Sequence, residues 1–182
     1  MNTSDAALIE RVQKGDKFAF AQILDIYSDR IERYVRRMVG HNDVATDIVQ
    51  DVFIKAYINI NSFDLDRKFG PWIYRIAHNE CVNYFKKKKS LNLTFFQFDT
   101  ILPSNNELPE QVSDFINKEN KSRIEKILNE IDIKYREVIV LNYFEDLDYK
   151  EISEALGIPV STVGVRIMRA KKLLEKLLQN KI

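Results

Sequence analysis

Apolar residues recur along most of this chain at intervals of three and four, and no stretch sustains the alternation of a half-buried strand. The spacing predicts helices over about 5–14, 17–39, 43–59 and 70–87, and again over about 116–131, 134–144, 149–156 and 161–179. Gly15, Gly40, Gly70 and Gly157 fall between the periodic stretches, where turns and helix ends take glycine. Pro71 suits a first helical turn, because its missing N–H would have no helical partner there. The stretch SLNLTFFQFDTILPSNNELPEQVSD has two prolines, adjacent asparagines and no amphipathic period, so it reads as a linker. The prediction is an all-α chain of two small helical domains, residues 1–89 and 118–182, joined by a flexible linker over 90–117.

Composition narrows the class. With 45% hydrophobic and 11% aromatic residues, the 182-residue chain can bury a core, which excludes wholesale disorder. No apolar run is long enough to span a bilayer, and MNTSDAALIERVQKGD lacks the basic-then-apolar layout of a signal peptide, so no direct membrane insertion is expected. The single cysteine excludes an internal disulfide framework and points to the cytoplasm. The net charge of +1 divides unevenly: 15 Lys and Arg against 12 acids in 1–89, none against four in 90–117, and 13 against 11 in 118–182. Two mildly basic blocks flank an acidic connector, a weak pointer to polyanion binding by the blocks.

The strongest local signal is YKEISEALGIPVSTVGVRIMRAKKLLEKLL, residues 149–178. Asp148 and Glu151 form a capping box for a short helix that stops at Gly157. Pro159 and Ser161 open a second helix after a four-residue turn, the layout of a helix-turn-helix. Val163, Ile167, Ala170, Leu174 and Leu177 make one buried stripe, and Thr162, Val165, Arg166, Arg169 and Lys172 occupy the exposed side. Small and basic residues at the start of such a helix suit a major groove, with flanking cations on phosphates. A plain helical hairpin with a solvated basic face is the bland alternative. The tight turn, with six cations and one acid across 165–182, favours DNA.

FGPWIYRIAHNECVNYFKKKK, residues 69–89, divides into two faces at 100° per residue. Phe69, Trp72, Ile73, Ile76, Ala77, Cys81 and Tyr84 gather on an apolar side, where Trp72 reads as core rather than as a base-stacking platform. Arg75, His78, Asn79, Lys86 and Lys89 lie opposite. His78 and Cys81 have a legitimate ligand spacing, but with His41 they are too few for zinc, so neither metal nor cofactor is expected. On 44–58, Ile48, Val52 or Phe53, Ala56 and Ile60 can face inward, leaving Asp47, Gln50, Asp51 and Lys55 exposed.

These segments carry a family resemblance. REVIVLNYFEDLDYKEISEALGIPVSTVGVRIMRAKKLL resembles the promoter-reading C-terminal domain of bacterial RNA polymerase sigma factors of the extracytoplasmic-function group. DIVQDVFIKAY at 47–57 and FGPWIYRIAHNECVNYFKK at 69–87 resemble the second conserved region of the same family. The resemblance covers roughly 6–89 and 118–178, in order, with no room for the third domain of larger housekeeping relatives. It implies a non-catalytic promoter-specificity subunit that binds core RNA polymerase and promoter DNA.

What the resemblance implies residue by residue is specific. The helix of 69–87 and the loop before it would hold the non-template strand of the −10 element through Arg75, His78 and Lys86. An extruded base would sit in a pocket that involves Asn79, Phe63 and Lys55, its edge to an amide and its face to a ring. Asp47, Gln50 and Asp51 would dock on the clamp of the polymerase's largest subunit, and the C-terminal domain would meet the flap. Thr162, Val165, Arg166, Arg169 and Lys172 would read the −35 element, with Gly164 permitting close approach and Val165 meeting a thymine methyl. The acidic linker would thread toward the RNA exit path, and an anti-sigma factor is an expected partner.

Two rivals stand beside this reading. A helix-turn-helix regulator independent of polymerase explains the second block but gives the first no task. An enzyme on nucleic acid lacks a carboxylate cluster, a glycine-rich phosphate loop or a metal set.

Overall fold

The structure, a computed structural model, describes residues 3–40, 42–88 and 126–179, and among these there is no strand. The expected features at His41, Lys89, the linker and most of 116–131 lie outside the described residues. The chain divides into two compact units, Met1–Val82 with Glu154–Gly157, and Asn83–Ser153 with Ile158–Ile182.

The first unit is built on α1 (Thr3–Gln13), α2 (Lys17–Val39), α3 (Asn42–Asn59) and α4 (Phe69–Lys88), with a 3-10 turn at Ile60–Ser62. Asp16 starts α2: its carboxylate accepts from the N–H groups of Phe18 and Ala19 at 3.0 and 3.2 Å. The same carboxylate takes the Arg11 guanidinium at 2.6 Å, which fixes the α1–α2 corner. Gly40 ends α2 in the left-handed region at φ 73, and its N–H donates to Arg36 O at 2.9 Å. α2 packs on both α1 and α3. Ile9, Ile23, Ile31 and Ile73 are almost wholly buried, each worth roughly 1.5–3 kcal/mol of transfer free energy. Aromatic rings join α2 to α4: Tyr27 meets Phe69 edge-on at 5.2 Å and Tyr34 meets Tyr74 at 5.4 Å. Tyr74, absent from the expected apolar face, is among the most buried side chains, whereas Trp72, Ile76 and Tyr84 are half-buried. Gly70 does not form a turn; it lies inside the first turn of α4, beside the expected Pro71.

The described part of the second unit takes in Asn83–Lys88 at the end of α4 and the helical residues Lys126 and Ile127, then a 3-10 turn, Leu128–Glu130, and α5 (Ile133–Ile139), capped by the Asp132 side chain on Lys134 N–H at 3.1 Å. The helix expected to run to 144 instead widens at Val140–Phe144 into a π turn. The wider turn accompanies an unbroken buried run from Glu137 to Leu141, more than one stripe of a regular helix encloses. Asp146 then takes a left-handed φ of 58, and Asn142 Nδ2 holds the bend by donating to Leu147 O at 2.8 Å. α6 (Tyr149–Leu156) and α7 (Val160–Gln179) follow. The expected capping box is present and reciprocal: Asp148 N–H donates to Glu151 Oε2 at 2.9 Å, and Glu151 N–H to Asp148 Oδ1 at 2.8 Å.

The Arg11 hydrogen bond, with the Phe18 and Ala19 amides, holds the Asp16 carboxyl below the ordinary carboxylate range. A depressed folded-state pKa stabilises the protein above the unfolded-state value, and that contribution disappears as pH falls through the folded-state value. Asp16→Ala is expected to lower the melting temperature at neutral pH. The gap to the wild type closes in strong acid, as circular-dichroism melts across that range will show.

Candidate nucleic-acid interface

The 3-10 turn after α3 aims the chain into a short loop that meets α4. Ser62 Oγ donates to Asn59 O at 2.7 Å, and Phe63 N–H closes the turn on Ile60 O at 3.0 Å. Gln13, at the end of α1, reaches the same turn and donates to Ile60 O at 2.8 Å and Phe63 O at 2.9 Å. Beyond it, Asp64 organises the loop: its Oδ1 accepts from Asp66 N–H at 3.0 Å, and its carbonyl accepts from Arg67 N–H at 3.0 Å. Residues lining the resulting recess include Ser62, Phe63, Asp64, Arg67, Lys68, Pro71, Trp72 and Arg75.

The aromatic roles expected here are exchanged. Phe63, expected to offer its ring to a base, is only 6% exposed. Its ring is wedged between Phe69 and Trp72 at centroid distances of 5.5 and 5.1 Å, and burial among aromatic faces outweighs exposure to water. Trp72, expected in the core, is the half-exposed member of this cluster and lines the recess. Arg67 and Lys68 sit there as well; their signal was the charged loop SFDLDRKFG.

The outward row of α4 appears as its spacing predicts: Arg75, Asn79 and Lys86 are exposed and His78 is half-buried. Cys81 is a buried thiol outside any disulfide, and among the described residues no group of three or more His, Cys, Asp or Glu could hold a metal. Lys55 is exposed on α3 and ion-paired across to Glu80 of α4 at 2.6 Å. The Glu80 side chain is only 10% exposed. Lys55 is therefore already committed to a carboxylate beside Asn79.

On α3, Ile48, both Val52 and Phe53, and Ala56 are buried, with Ile60 just beyond the helix. Asp47, Gln50 and Asp51 are exposed in one row. The row continues as Ile54 and Ile58, at 48% and 67% exposure, so an acidic half is followed by an apolar half on the same face.

In the second unit, α6 and α7 are separated by Gly157–Pro159, three residues rather than four, with Gly157 in the left-handed region at φ 65. Ser153 Oγ donates to Ile158 O at 2.6 Å and pins this turn. Val163, Ile167, Ala170 and Leu174 are buried as predicted, and Leu177 is half-buried. Arg169 and Lys172 are exposed, and Val165 is half-buried. Two expectations fail. Thr162 is buried at 6% exposure, with no hydrogen bond to its Oγ1 among the described residues. Gly164, expected to let DNA approach, is also buried. The small side chains at 162 and 164 let neighbouring atoms close over the first turn of α7. Arg166 is half-buried with its Nε shielded from solvent. Lys171 turns over the Tyr143 ring at 5.8 Å, and burial pulls its pKa down and pushes the Tyr143 phenol up. Of the residues expected to face DNA, Arg169 and Lys172 are therefore the two exposed cations.

Residues 23–91 match the family model described as sigma-70 region 2, and residues 121–174 that described as sigma-70, region 4. Over 183 residues the chain is 40% identical to the ECF RNA polymerase sigma factor SigW of Bacillus subtilis (strain 168), covering 94% of this chain and 95% of that protein. The chain belongs to the extracytoplasmic-function sigma factors of the sigma-70 family.

The ECF RNA polymerase sigma-E factor of Escherichia coli (strain K12) is 33% identical over 187 residues, covering 97% of this sigma factor and 95% of the relative. Among solved structures, CnrH in complex with the cytosolic domain of CnrY shares the fold at a TM-score of 0.74 and 24% identity, over 98% of this chain and 99% of that one. RpoE of Bartonella quintana, in complex with the anti-sigma factor NepR, does so at 0.65 and 24%, over 88% and 96%. The helix-turn-helix is thus part of a sigma subunit rather than of a stand-alone regulator. The family consists of transcription initiation factors without catalysis of their own. Among the described residues, no helix of this sigma factor is long and apolar enough to cross a membrane.

Trp72 is the only tryptophan in the chain, so its fluorescence reports the recess alone. With Arg67, Lys68 and Arg75 outnumbering the acids that line the recess, anionic iodide is expected to quench the full-length protein more strongly than caesium. Arg75→Gln narrows that difference, and equal quenching by the two ions would show that the cations do not govern the recess.

Proposed function

We propose a division of labour between the two units of this sigma factor. Residues 1–89 dock on core RNA polymerase and capture the opened −10 strand, 90–117 tether, and 118–182 read the −35 element in duplex DNA. The chain performs no catalysis and acts in the cytoplasm. The observation that carries this reading is the split of α4 into a buried face, with Phe69, Ile73, Tyr74, Ala77 and Cys81, and an exposed Arg75–Asn79–Lys86 row beside a recess where Arg67 and Lys68 lie.

In the −10 reading, Arg75, Lys86 and the recess residues Arg67 and Lys68 attract the strand backbone, and Asn79 presents an amide to a base edge. The half-buried His78 borders the same row. The stacking face comes from Trp72 rather than Phe63, whose ring supports it from behind. Lys55 engages a phosphate only by leaving Glu80. On α3, Asp47, Gln50 and Asp51 face a basic surface of the polymerase clamp. On α7, Arg169 and Lys172 lead the −35 contact, Val165 and Arg166 follow from a half-buried position, and Thr162 helps seat the helix. The flap of core polymerase and an anti-sigma factor complete the proposed partners. Support for the latter is the family resemblance and the solved complex of the Bartonella relative with the anti-sigma factor NepR.

Run-off transcription with purified core enzyme on genomic fragments, followed by start-site mapping, tests the whole reading. Arg169→Ala is expected to abolish promoter-specific transcription while leaving core binding intact. Asn79→Ala is expected to cost about tenfold or more in transcription, from a lost base contact of roughly 1–3 kcal/mol. Asp47→Lys with Asp51→Lys should lose co-purification with core enzyme. Wild-type activity in all three would reject these assignments.

A further inference from the structure

We propose that Gln13 is a positioning residue for the strand-capturing loop, acting from α1 through the carbonyls of Ile60 and Phe63. The proposal rests on the reading of the α4 face and its recess given above, and extends it to a residue that touches no part of the strand.

One primary amide carries two hydrogens, and here each has its own acceptor: Gln13 Nε2 donates to Ile60 O at 2.8 Å and to Phe63 O at 2.9 Å. Those carbonyls bracket the 3-10 turn, so a single side chain fixes both its entrance and its exit. The anchoring end is itself held. Lys14 and Gly15 N–H donate to Glu10 O and Val12 O at 3.0 and 2.9 Å, and Asp16 N–H donates to Arg11 O at 3.0 Å. The half-buried setting of Gln13 limits competition from water.

The turn matters because Phe63 follows it directly. Its ring packs edge-on against Trp72, and Ser62, Phe63 and Trp72 all line the recess. Displacement of the Phe63 carbonyl moves the ring that backs Trp72. Gln13 therefore sets the shape of the recess from 50 residues away in sequence.

The chemistry prescribes which substitutions preserve the function. Gln13→Met keeps the stem and removes both donors. Gln13→Glu sets a carboxylate against two carbonyls, whereas Gln13→Lys restores donors on a flexible stem. The variants are compared as full-length protein in reconstituted holoenzyme, on a promoter mapped by run-off transcription. The −10 bases of the non-template strand are changed one at a time with the −35 element constant. The readout is the ratio of transcript from the original to the altered −10 element, with core binding and thermal melting followed in parallel.

That ratio is expected to fall roughly tenfold for Gln13→Met and Gln13→Glu, the scale of two lost hydrogen bonds, and to stay within about twofold of wild type for Gln13→Lys. Core binding and dependence on the −35 element stay unchanged. An unaltered ratio in Gln13→Met and Gln13→Glu, or an equal fall in Gln13→Lys, overturns the proposal. If Gln13→Met does not fold, the Glu and Lys variants decide it at a temperature where both are folded. Asn79→Ala is run alongside. Should it keep the wild-type ratio, the underlying reading of the α4 face fails; should it alone lose the ratio, only the role of Gln13 falls.

Discussion

A run of aromatic rings in edge contact, Tyr27 to Phe69 to Phe63 to Trp72, is the constraint on which the first unit depends. Each such pair contributes about 0.5–1.5 kcal/mol beyond the area it buries, and its preferred geometry is directional. The run begins on the long helix α2, crosses the start of α4, takes in the loop between α3 and α4, and ends at the recess. Because Phe63 is locked between two rings, the loop has little freedom to collapse. The outward row of α4 keeps its relation to the recess, and Trp72 remains partly open to solvent.

The second unit reaches a comparable result with hydrogen bonds in place of rings. The reciprocal Asp148–Glu151 cap fixes where α6 begins, and the Ser153 hydroxyl on Ile158 O fixes how tightly the chain turns. The small residues Thr162 and Gly164 let the first turn of α7 be enclosed. Polar groups exposed further along the helix, Arg169 and Lys172 foremost, then present the charge.

Helix placement was largely legible because period and punctuation agree: Asp16, Gly40, Asp148 and Gly157 each act where a helix begins or ends. The exposed row Asp47–Gln50–Asp51 followed from spacing alone, as did Arg75–Asn79–Lys86. Side-chain depth was less legible. Periodicity assigns a direction around a helix but not how far neighbours rise beside it. Trp72 therefore looked like core and Thr162 looked exposed, while the resemblance, not periodicity, set the Phe63 ring against a base. Pairings between distant helices left no local signal either. Nothing in the sequence joins Gln13 to Phe63, or Lys55 to Glu80, since Gln13, Lys55 and Glu80 each read on their own as ordinary solvated residues. The π turn was equally hidden, because it needs only one residue more per turn than the helix it interrupts.

The Lys55–Glu80 pair changes how salt acts at this surface. A nucleic-acid strand holds condensed cations, and a protein cation that neutralises a phosphate gains affinity from their release. Lys55 is balanced by a carboxylate fixed to the protein, so the pair has no net charge and a phosphate arriving there frees little of that cation layer. Contact at Lys55 would thus add little to the salt dependence of strand binding. It would instead break the bridge that joins Lys55 of α3 to Glu80 of α4. Exchange of partners at that point couples charge on the strand to the packing between α3 and α4.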